Sequence, residues 1–201
     1  KGCIILYKQA IVEIIKEISD AYGRFCGLIL NIKDKPILIM NIYAPNEPND
    51  NSKFFIKLRN YLQDLQEEII GLDIVLGGDF NFVENEELDR SKRGATPSKH
   101  SKSSREVFLQ IREMFGIVDC YRNLHPSATE YTWRRTRPFV IQARLDRFYM
   151  TESLEHALKS SSIIHGYKSD HSAIKLELEL SLYGSEKGKG HWKINASILE
   201  D

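Results

Sequence analysis

The sequence lacks an excess of charge of either sign, because Lys plus Arg and Asp plus Glu both number 28 in 201 residues. Bulk electrostatics therefore gives no argument for a nucleic acid, a membrane or any other partner, and such an argument has to be local. No apolar run approaches the roughly 18 residues that a membrane span needs. The first residues also show no small-residue cleavage site after an apolar core. We expect a soluble, unprocessed chain without membrane contact.

Cysteine is scarce as well, and the three cysteines have no CxxC or CxxH spacing. This pattern disfavours a disulfide framework or a zinc site and favours a reducing, intracellular setting. With 42% hydrophobic residues, a chain of 201 residues can form one sizeable core but is short for two ordinary domains. We expect one domain over residues 1–182. The Gly- and Lys-rich stretch "YGSEKGKG" opens a linker over residues 183–201.

The apolar pattern predicts alternating strands and helices. The runs "GRFCGLILNI" and "PILIMNIYAP" indicate two strands joined by a tight turn. Apolar residues spaced by three and four predict one helix between Asn49 and Ile70, capped by Asn51 or Ser52, and a second helix from Ser103 to Gly116. The run "DIVLGGDFN" predicts a buried strand. The strict alternation of "SAIKLELELS" predicts a strand with one wet face, which favours antiparallel pairing.

The end of the buried strand, "GGDFN", places a carboxylate and an amide close together. On an extended segment, Asp79 and Asn81 project to one side while Phe80 projects to the other. Gly77 and Gly78 leave room for a ligand or another backbone to approach. The alternative is a turn in which Asp and Asn bind their own backbone. The motif alone leaves both interpretations open.

Other polar residues also stand where a predicted strand meets a loop. They are Tyr43 and Asn46 in "NIYAPN", Thr132 in "YTW", Asp146 in "RLDRFY", and Ser169, Asp170 and His171 in "SDH". Taken singly, each has an ordinary explanation: a turn for Asp170 and His171, a rim aromatic for Tyr43, a surface ion pair for Asp146. Their order along the chain is the informative feature.

Together these stretches resemble the endonuclease/exonuclease/phosphatase superfamily, most closely the apurinic-like endonuclease domain of LINE-type non-LTR retrotransposons. The "HWKIN" tail is similar to the segment that precedes the reverse transcriptase in those polyproteins. The resemblance implies a four-layered α/β sandwich of the DNase I-like type that hydrolyses a phosphodiester with Mg²⁺ or Mn²⁺. It also implies double-stranded DNA as substrate, a reverse transcriptase domain in the same parent polyprotein, and a nuclear location when acting on DNA.

The resemblance also implies a role for each of these residues. Asp79 would orient or activate the attacking water and Asn81 would hold the scissile phosphate. His171, paired with Asp146 in a way that favours the charged imidazole, would contact a phosphate oxygen. The remaining expectations are a phosphate contact for Tyr43 and for Thr132, a position at or near the metal for Asp170, and support for Asn46 and Ser169. Carboxylate oxygens are ligands that hard cations prefer. The hydrogen-bond donors His171, Asn81, Tyr43 and Thr132 would stabilise the negative charge that grows on the phosphoryl oxygens.

The sequence departs from the family pattern at its start. The family's Asn and its principal metal-binding Glu precede a segment resembling "KGCIILYKQA", and neither Glu13 nor Glu17 matches that Glu. The first strands of one sheet are also missing, which should expose a strand edge and apolar surface. We expect a metal-dependent DNA endonuclease that is inactive or weak in this chain. The alternative is a catalytically silent retrotransposon-derived remnant with at most weak nucleic-acid binding. A phosphatase or sphingomyelinase is disfavoured by the "HWKIN" tail.

Two stretches concentrate positive charge. "RSKRGATPSKHSKSSR", from Arg90 to Arg105, carries six Lys or Arg residues without an acid, and a solvated loop explains it as well as phosphate binding does. "RRTRPFVIQAR" carries four arginines, where LINE-type endonucleases resemble one another in having a hairpin that meets the DNA minor groove. The arginines expected to bind DNA there are Arg134, Arg135, Arg137 and Arg144. We expect Trp133 to lie in the core.

Overall fold

A mixed α/β arrangement is present in the computed structural model, which describes residues 2–8, 13–91, 99–137, 140–166 and 168–180. The strands are β1 (Glu13–Ser19), β2 (Phe25–Ile32), β3 (Lys35–Tyr43), β4 (Asp73–Asp79), β5 (Ile117–Asp119), β6 (Trp133–Arg135), β7 (Ile141–Ala143), β8 (Asp146–Thr151), β9 (Leu158–Ile164) and β10 (Ala173–Leu178). The helices are α1 (Pro48–Glu68), α2 (Lys99–Phe115) and α3 (Cys120–Leu124), with a 3-10 helix at Glu152–Ala157. The expected linker, 183–201, lies outside the described residues.

The strands form one large sheet and two small ones. The large sheet has six strands in the order β1-β2-β3-β4-β8-β5, in which only β3 and β4 pair in parallel. The predicted hairpin is β2 with β3, whose turn residues Lys33 and Asp34 have φ of 54° and 63°. Positive φ at both central residues matches the natural twist of a hairpin. The last strand, β10, pairs antiparallel with β9, as its alternation predicts.

The two long helices form where the apolar spacing predicts them, but their starts differ. Helix α1 begins at Pro48, and neither predicted cap is used, because the N-cap is Glu47 and no side chain caps the helix. A proline in the first turn has its φ already set for a helix. Helix α2 begins at Lys99, four residues before the predicted Ser103. Its end before Gly116, whose φ is 54°, agrees with the prediction. Within the described ranges, no helix combines the length and the apolar composition needed to cross a membrane.

The large sheet separates two apolar cores. One core lies between the sheet and helices α1 and α2, and its centre is an aromatic group of Phe55, Phe80, Phe82, Phe108 and Tyr149. The other core lies against β9 and β10. This layering confirms the predicted α/β sandwich. Apolar side chains at Ile4, Leu6 and Ile15 are exposed.

The two glycines of "GGDFN" permit the sheet to close around β4. A Cβ on Gly77 would overlap the Phe148 ring, and one on Gly78, whose φ is 133°, would overlap the Ile42 carbonyl oxygen. Gly78 therefore admits another backbone, which is one of the two uses that the sequence left open, and Gly77 admits a side-chain ring.

A buried ionic cluster joins β8, α3 and the loop after β4. Asp89 is 0% exposed and accepts hydrogen bonds from Arg144 Nε at 2.8 Å and from Arg122 Nη2 at 2.7 Å. Arg144 Nη2 also lies 2.7 Å from Asp119 Oδ2. Arg144 is only 2% exposed, so its predicted contact with DNA is wrong. Its carboxylate partner lies 55 residues away in the sequence, and no local pattern marks that pairing.

We predict that Asp89→Asn lowers the free energy of unfolding by about 3–5 kcal/mol, because Arg144 and Arg122 each lose a charged partner. Burial alone would raise the pKa of Asp89, but Arg147 and Arg144 outweigh it and lower that pKa below 3.8. A carboxyl group whose pKa is lower in the folded than in the unfolded protein stabilises the fold above its unfolded-state pKa. This stabilisation is lost as the pH falls through the folded-state pKa. Urea unfolding of both proteins should give a difference that is constant above about pH 5 and shrinks below about pH 4.

The matched control is Glu87→Gln, the same kind of change at an exposed position of the same loop. It should leave the unfolding curve within about 0.5 kcal/mol of the wild type. Equal losses in the two variants would show that the ionic cluster contributes nothing specific to stability.

Candidate active site

A cleft of about 710 Å³ opens where β3 and β4 end and β8 begins. All the predicted strand-end residues except Thr132 line it. They are Tyr43, Asn46, Asp79, Asn81, Asp146, Ser169, Asp170 and His171. The cleft is thus built from separate parts of the chain that meet only because the strands pair as they do.

Strand register aligns the three central side chains. Parallel pairing of β3 with β4 places Tyr43 beside Asp79, and antiparallel pairing of β4 with β8 places Asp79 beside Asp146. Adjacent strands lie about 4.8 Å apart, so three neighbouring strands bring a phenol and two carboxylates into one row. The sequence predicted that each of these residues lies where a strand meets a loop. The strand register brings them close together.

The turn after β4 combines the two interpretations of "GGDFN". Asn81 has a φ of 52°, and its N–H donates to Asp79 Oδ1 at 2.9 Å, so Asp79 does bind its own backbone. The strand ends at Asp79, and alternation along an extended chain is therefore not what aligns the two side chains. Asn81 Nδ2 donates to the Ala44 carbonyl at 2.8 Å, and both residues still line the cleft.

His171 and Asp146 form the pair that the sequence analysis expects. His171 Nδ1 lies 2.9 Å from Asp146 Oδ2, and this hydrogen bond raises the pKa of His171 above its ordinary value despite partial burial. The charged imidazole is therefore favoured. Ser169 Oγ accepts a hydrogen bond from the His171 N–H at 3.0 Å and holds the loop in place. The roles of these side chains in catalysis stay predictions.

The acidic groups of the cleft fit a divalent cation. Burial raises the pKa of Asp79 to about 6, and the Asp146 carboxylate adds to the rise. The ligand atoms of Asp79, Asp146 and His171 all lie within 4.8 Å of one another. Two carboxylates this close repel each other unless a positive charge lies between them, and carboxylate oxygens are ligands that hard cations prefer. Asp170, which we expected at or near the metal, is not part of this group.

Hairpin β6–β7 borders the cleft and is attached to the loop that carries His171. The Arg134 N–H donates to the Asp170 carbonyl at 2.9 Å, and Trp133 forms an isolated bridge with His171. Trp133 lines the cleft and its Nε1 donates to Asp170 Oδ2 at 3.1 Å, so its predicted core position is wrong. The side chains of Arg134, Arg135 and Arg137 are exposed in this hairpin.

Thr132 is not available to a phosphate. The residue is 1% exposed, and its hydroxyl accepts hydrogen bonds from the N–H groups of Leu145 and Asp146, both at 2.9 Å. Its carbonyl accepts from the Ser172 N–H at 2.6 Å. The predicted phosphate contact is therefore wrong, because the hydroxyl is buried against β8. Thr132 instead joins the backbone at Asp146 to the backbone that follows His171.

Two cleft residues were missed by the sequence analysis as site residues. Asn51, considered only as a helix cap, is 1% exposed and donates to the carbonyls of Pro45 and Phe80. Arg90 lines the cleft with its Nε buried, and it stands at the start of the basic stretch whose residues 92–98 lie outside the described ranges. Local charge could have singled out Arg90. Nothing in the sequence marks the partners of Asn51.

Comparison with known proteins identifies the fold. No protein-family model matches the chain. The crystal structure of the AP endonuclease LMAP from Leishmania major superposes with a TM-score of 0.66 and 21% identity, over 77% of this chain and 54% of that one. An exodeoxyribonuclease of Streptococcus pneumoniae is 24% identical over 200 residues, which cover 89% of this chain and 70% of the relative. The fold is that of the DNase I-like endonuclease/exonuclease/phosphatase enzymes.

One relative that matches along the whole chain is a transposon protein. The uncharacterized 149 kDa protein of transposon TX1 from Xenopus laevis is 29% identical over 202 residues. These residues cover 100% of this chain and 15% of the relative, so the chain spans a small part of that protein's length. The predicted resemblance to a LINE-type retrotransposon endonuclease domain is confirmed.

We predict that Thr132→Val lowers the free energy of unfolding by about 1–3 kcal/mol, because two N–H groups lose their acceptor. Thr132→Ser keeps the hydroxyl and should lose less than the valine variant. Urea unfolding measures both effects. A serine variant that loses more stability than the valine variant would mean that the methyl group, and not the hydroxyl, is what the site requires.

Proposed function

We propose that this chain is a metal-dependent DNA endonuclease domain that hydrolyses a phosphodiester in double-stranded DNA. The observation that carries the proposal is the group of Asp79, Asp146 and His171, which meet at strand ends in an open cleft. Hairpin β6–β7, which borders the cleft, carries exposed arginines. Carboxylates for a cation and donors for phosphoryl oxygens are the two requirements of phosphodiester hydrolysis.

The carboxylates of Asp79 and Asp146 are the groups that would hold Mg²⁺ or Mn²⁺. Such an ion, when bound, offsets the negative charge that develops on the phosphoryl oxygens. Asp79 orients the attacking water. Asn81 gives one of its two amide hydrogens to Ala44 and keeps the second for the phosphate. Tyr43 approaches the phosphate from the neighbouring strand, and His171, charged through Asp146, donates to a phosphoryl oxygen.

The duplex would lie across the cleft and against hairpin β6–β7. Arg134, Arg135 and Arg137 are exposed there, and arginines suit a narrow minor groove, where the negative potential is strongest. Contacts from these arginines to the phosphates beside the groove would supply affinity and orientation rather than sequence selection. Asn46 and Ser169 stand on the cleft walls as supports for the Tyr43 and His171 loops.

The biological role that we infer is nicking of target DNA for retrotransposition, which exposes a 3′-hydroxyl for reverse transcription. Similarity along the whole chain to a transposon protein supports this role. Residues 183–201 would then link the domain to a reverse transcriptase region of the same polyprotein, and the protein would be nuclear when it acts on DNA.

One observation favours a second candidate, a catalytically silent remnant. The acid and His group of the described residues contains no glutamate, although the family resemblance implies a glutamate as principal ligand. Glu13 and Glu17 are exposed on β1, and the Glu13 carboxylate accepts a hydrogen bond from Asn31. A site with fewer ligands holds a cation more weakly, so we expect the activity of this chain to be low.

The first test is nicking of supercoiled plasmid DNA with Mg²⁺. We expect slow nicking that falls about 100-fold or more in Asp79→Asn and in His171→Gln, because each variant removes a group that acts on the reacting phosphate. The matched control is Asp64→Asn, the same change at an exposed position of α1, which should keep the wild-type rate. Wild-type nicking that survives both site variants would refute the assignment, and no nicking by any protein would favour the silent remnant.

The second test addresses DNA binding by the hairpin. Arg134→Gln combined with Arg135→Gln should weaken duplex binding and reduce the slope of log K against log salt by about one unit per lost phosphate contact. Fluorescence anisotropy at several salt concentrations measures both quantities. Lys53→Gln combined with Lys57→Gln removes the same charge from the exposed side of α1 and is the control. Equal changes in both double variants would show that only net charge matters.

A further inference from the structure

Two loops bring the central groups of the cleft together, and they are bound to each other. One loop follows β3 and runs through Ala44 and Pro45, and the other is the turn of Asp79 to Asn81. The Ala44 N–H donates to the Asp79 carbonyl at 2.9 Å, and Asn81 Nδ2 donates to the Ala44 carbonyl at 2.8 Å. The two loops are therefore joined by hydrogen bonds in both directions, and the position of this pair relative to the core sets the geometry of the cleft.

A single side chain fastens both loops to helix α1. Asn51 Nδ2 donates to the Pro45 carbonyl at 2.8 Å and to the Phe80 carbonyl at 3.0 Å. Both partners are carbonyl oxygens, which can only accept, so the amide must present its NH₂ group to them. An asparagine at this position thus supplies two donors from one nitrogen, which neither an aspartate nor an aliphatic residue can do.

Helix α1 is a rigid reference for these loops. The Asn51 N–H donates to the Glu47 carbonyl at 2.8 Å within the first helical turn. One turn later, Phe55 is 0% exposed and stacks on the Phe80 ring with a centroid distance of 6.1 Å. Phe80 is therefore held twice by α1, through its ring by Phe55 and through its carbonyl by Asn51.

We propose that Asn51 is a positioning residue of the active site, whose amide group fixes the loop after Tyr43 and the turn of Asp79 to Asn81 against helix α1. Asn51 does not touch the reacting atoms and acts through the groups that do. The consequence for the reaction rests on the proposed function, whereas the fastening of the loops does not. Buried carbonyls that lose their donor favour an opened loop in which water reaches them.

Amide hydrogen exchange, followed residue by residue by NMR, tests the fastening directly. The variants are Asn51→Asp, which keeps the side-chain shape but removes both donors, and Asn51→Ala, which removes the side chain. We expect exchange of the Ala44 and Asn81 N–H groups to become about tenfold faster or more in both variants, with the later turns of α1 unchanged.

The matched control is Ser52→Ala, the adjacent position on the same helix. The Ser52 hydroxyl bonds only within its own helical turn, to the carbonyls of Pro48 and Asn49, so its loss should leave both loops protected. Unchanged exchange at either loop in the Asn51 variants overturns the proposal. Faster exchange spread evenly through α1 also overturns it, because that result describes a helix defect and not a loosened site.

Mn²⁺ binding, measured by the loss of the free-ion electron paramagnetic resonance signal, separates this proposal from the proposed function. Asn51→Ala should weaken Mn²⁺ binding about tenfold or more, the loss typical of groups that orient ligands, whereas Ser52→Ala should bind like the wild type. Equal Mn²⁺ affinity in wild type and Asn51→Ala overturns the positioning role. If the wild type binds no Mn²⁺, the metal-dependent function fails, and hydrogen exchange alone then decides whether Asn51 fastens the loops.

Discussion

The register between β4 and β8 is the constraint on which the rest of the site depends. It sets Asp79 opposite Asp146, and His171 then pairs with Asp146 at 2.9 Å. A shift of one residue would turn one carboxylate to the opposite face of the sheet and separate the pair. Gly77 of β4 makes this register possible, since it admits the Phe148 ring of β8. Gly78 admits the Ile42 carbonyl of β3 and so permits the pairing on the other side of β4.

Two kinds of buried contact hold this register. On the helix side, stacked and edge-on aromatic rings pack around Phe80 and Phe108, which anchors the turn after β4. Beside them, Asp89 neutralises Arg144 just before β8, where a buried charge without a partner would be costly. Polar side chains such as Thr132 and Asn51 then complete the site by binding backbone groups of distant loops. The reacting groups are thus carried by loops whose supports lie in the core.

Much of the fold and of the candidate site could be predicted from the sequence because the patterns are local. Apolar spacing predicts helix α1, and alternation predicts β10. Polar residues at strand ends predict cleft positions for Asp79 and His171. Three errors share one cause. Arg144 and Thr132 were predicted to bind DNA at the surface but are buried, and Trp133 was predicted to be buried but lines the cleft. Side-chain type indicates only the average burial of a residue and not its burial at a particular site.

The sequence by itself determined the elements, their order and the chemical groups at their ends, since hydrophobic periodicity and strand-end polarity are properties of short segments. Only the tertiary structure decided which of those groups meet. The carboxylate partner of Arg144 is 55 residues away in the sequence. The Phe80 carbonyl that Asn51 binds, in the turn after β4, is 29 residues away. Every residue carries a carbonyl and many carry a carboxylate, so residue identity does not select the partner. Strand register and helix packing make that selection.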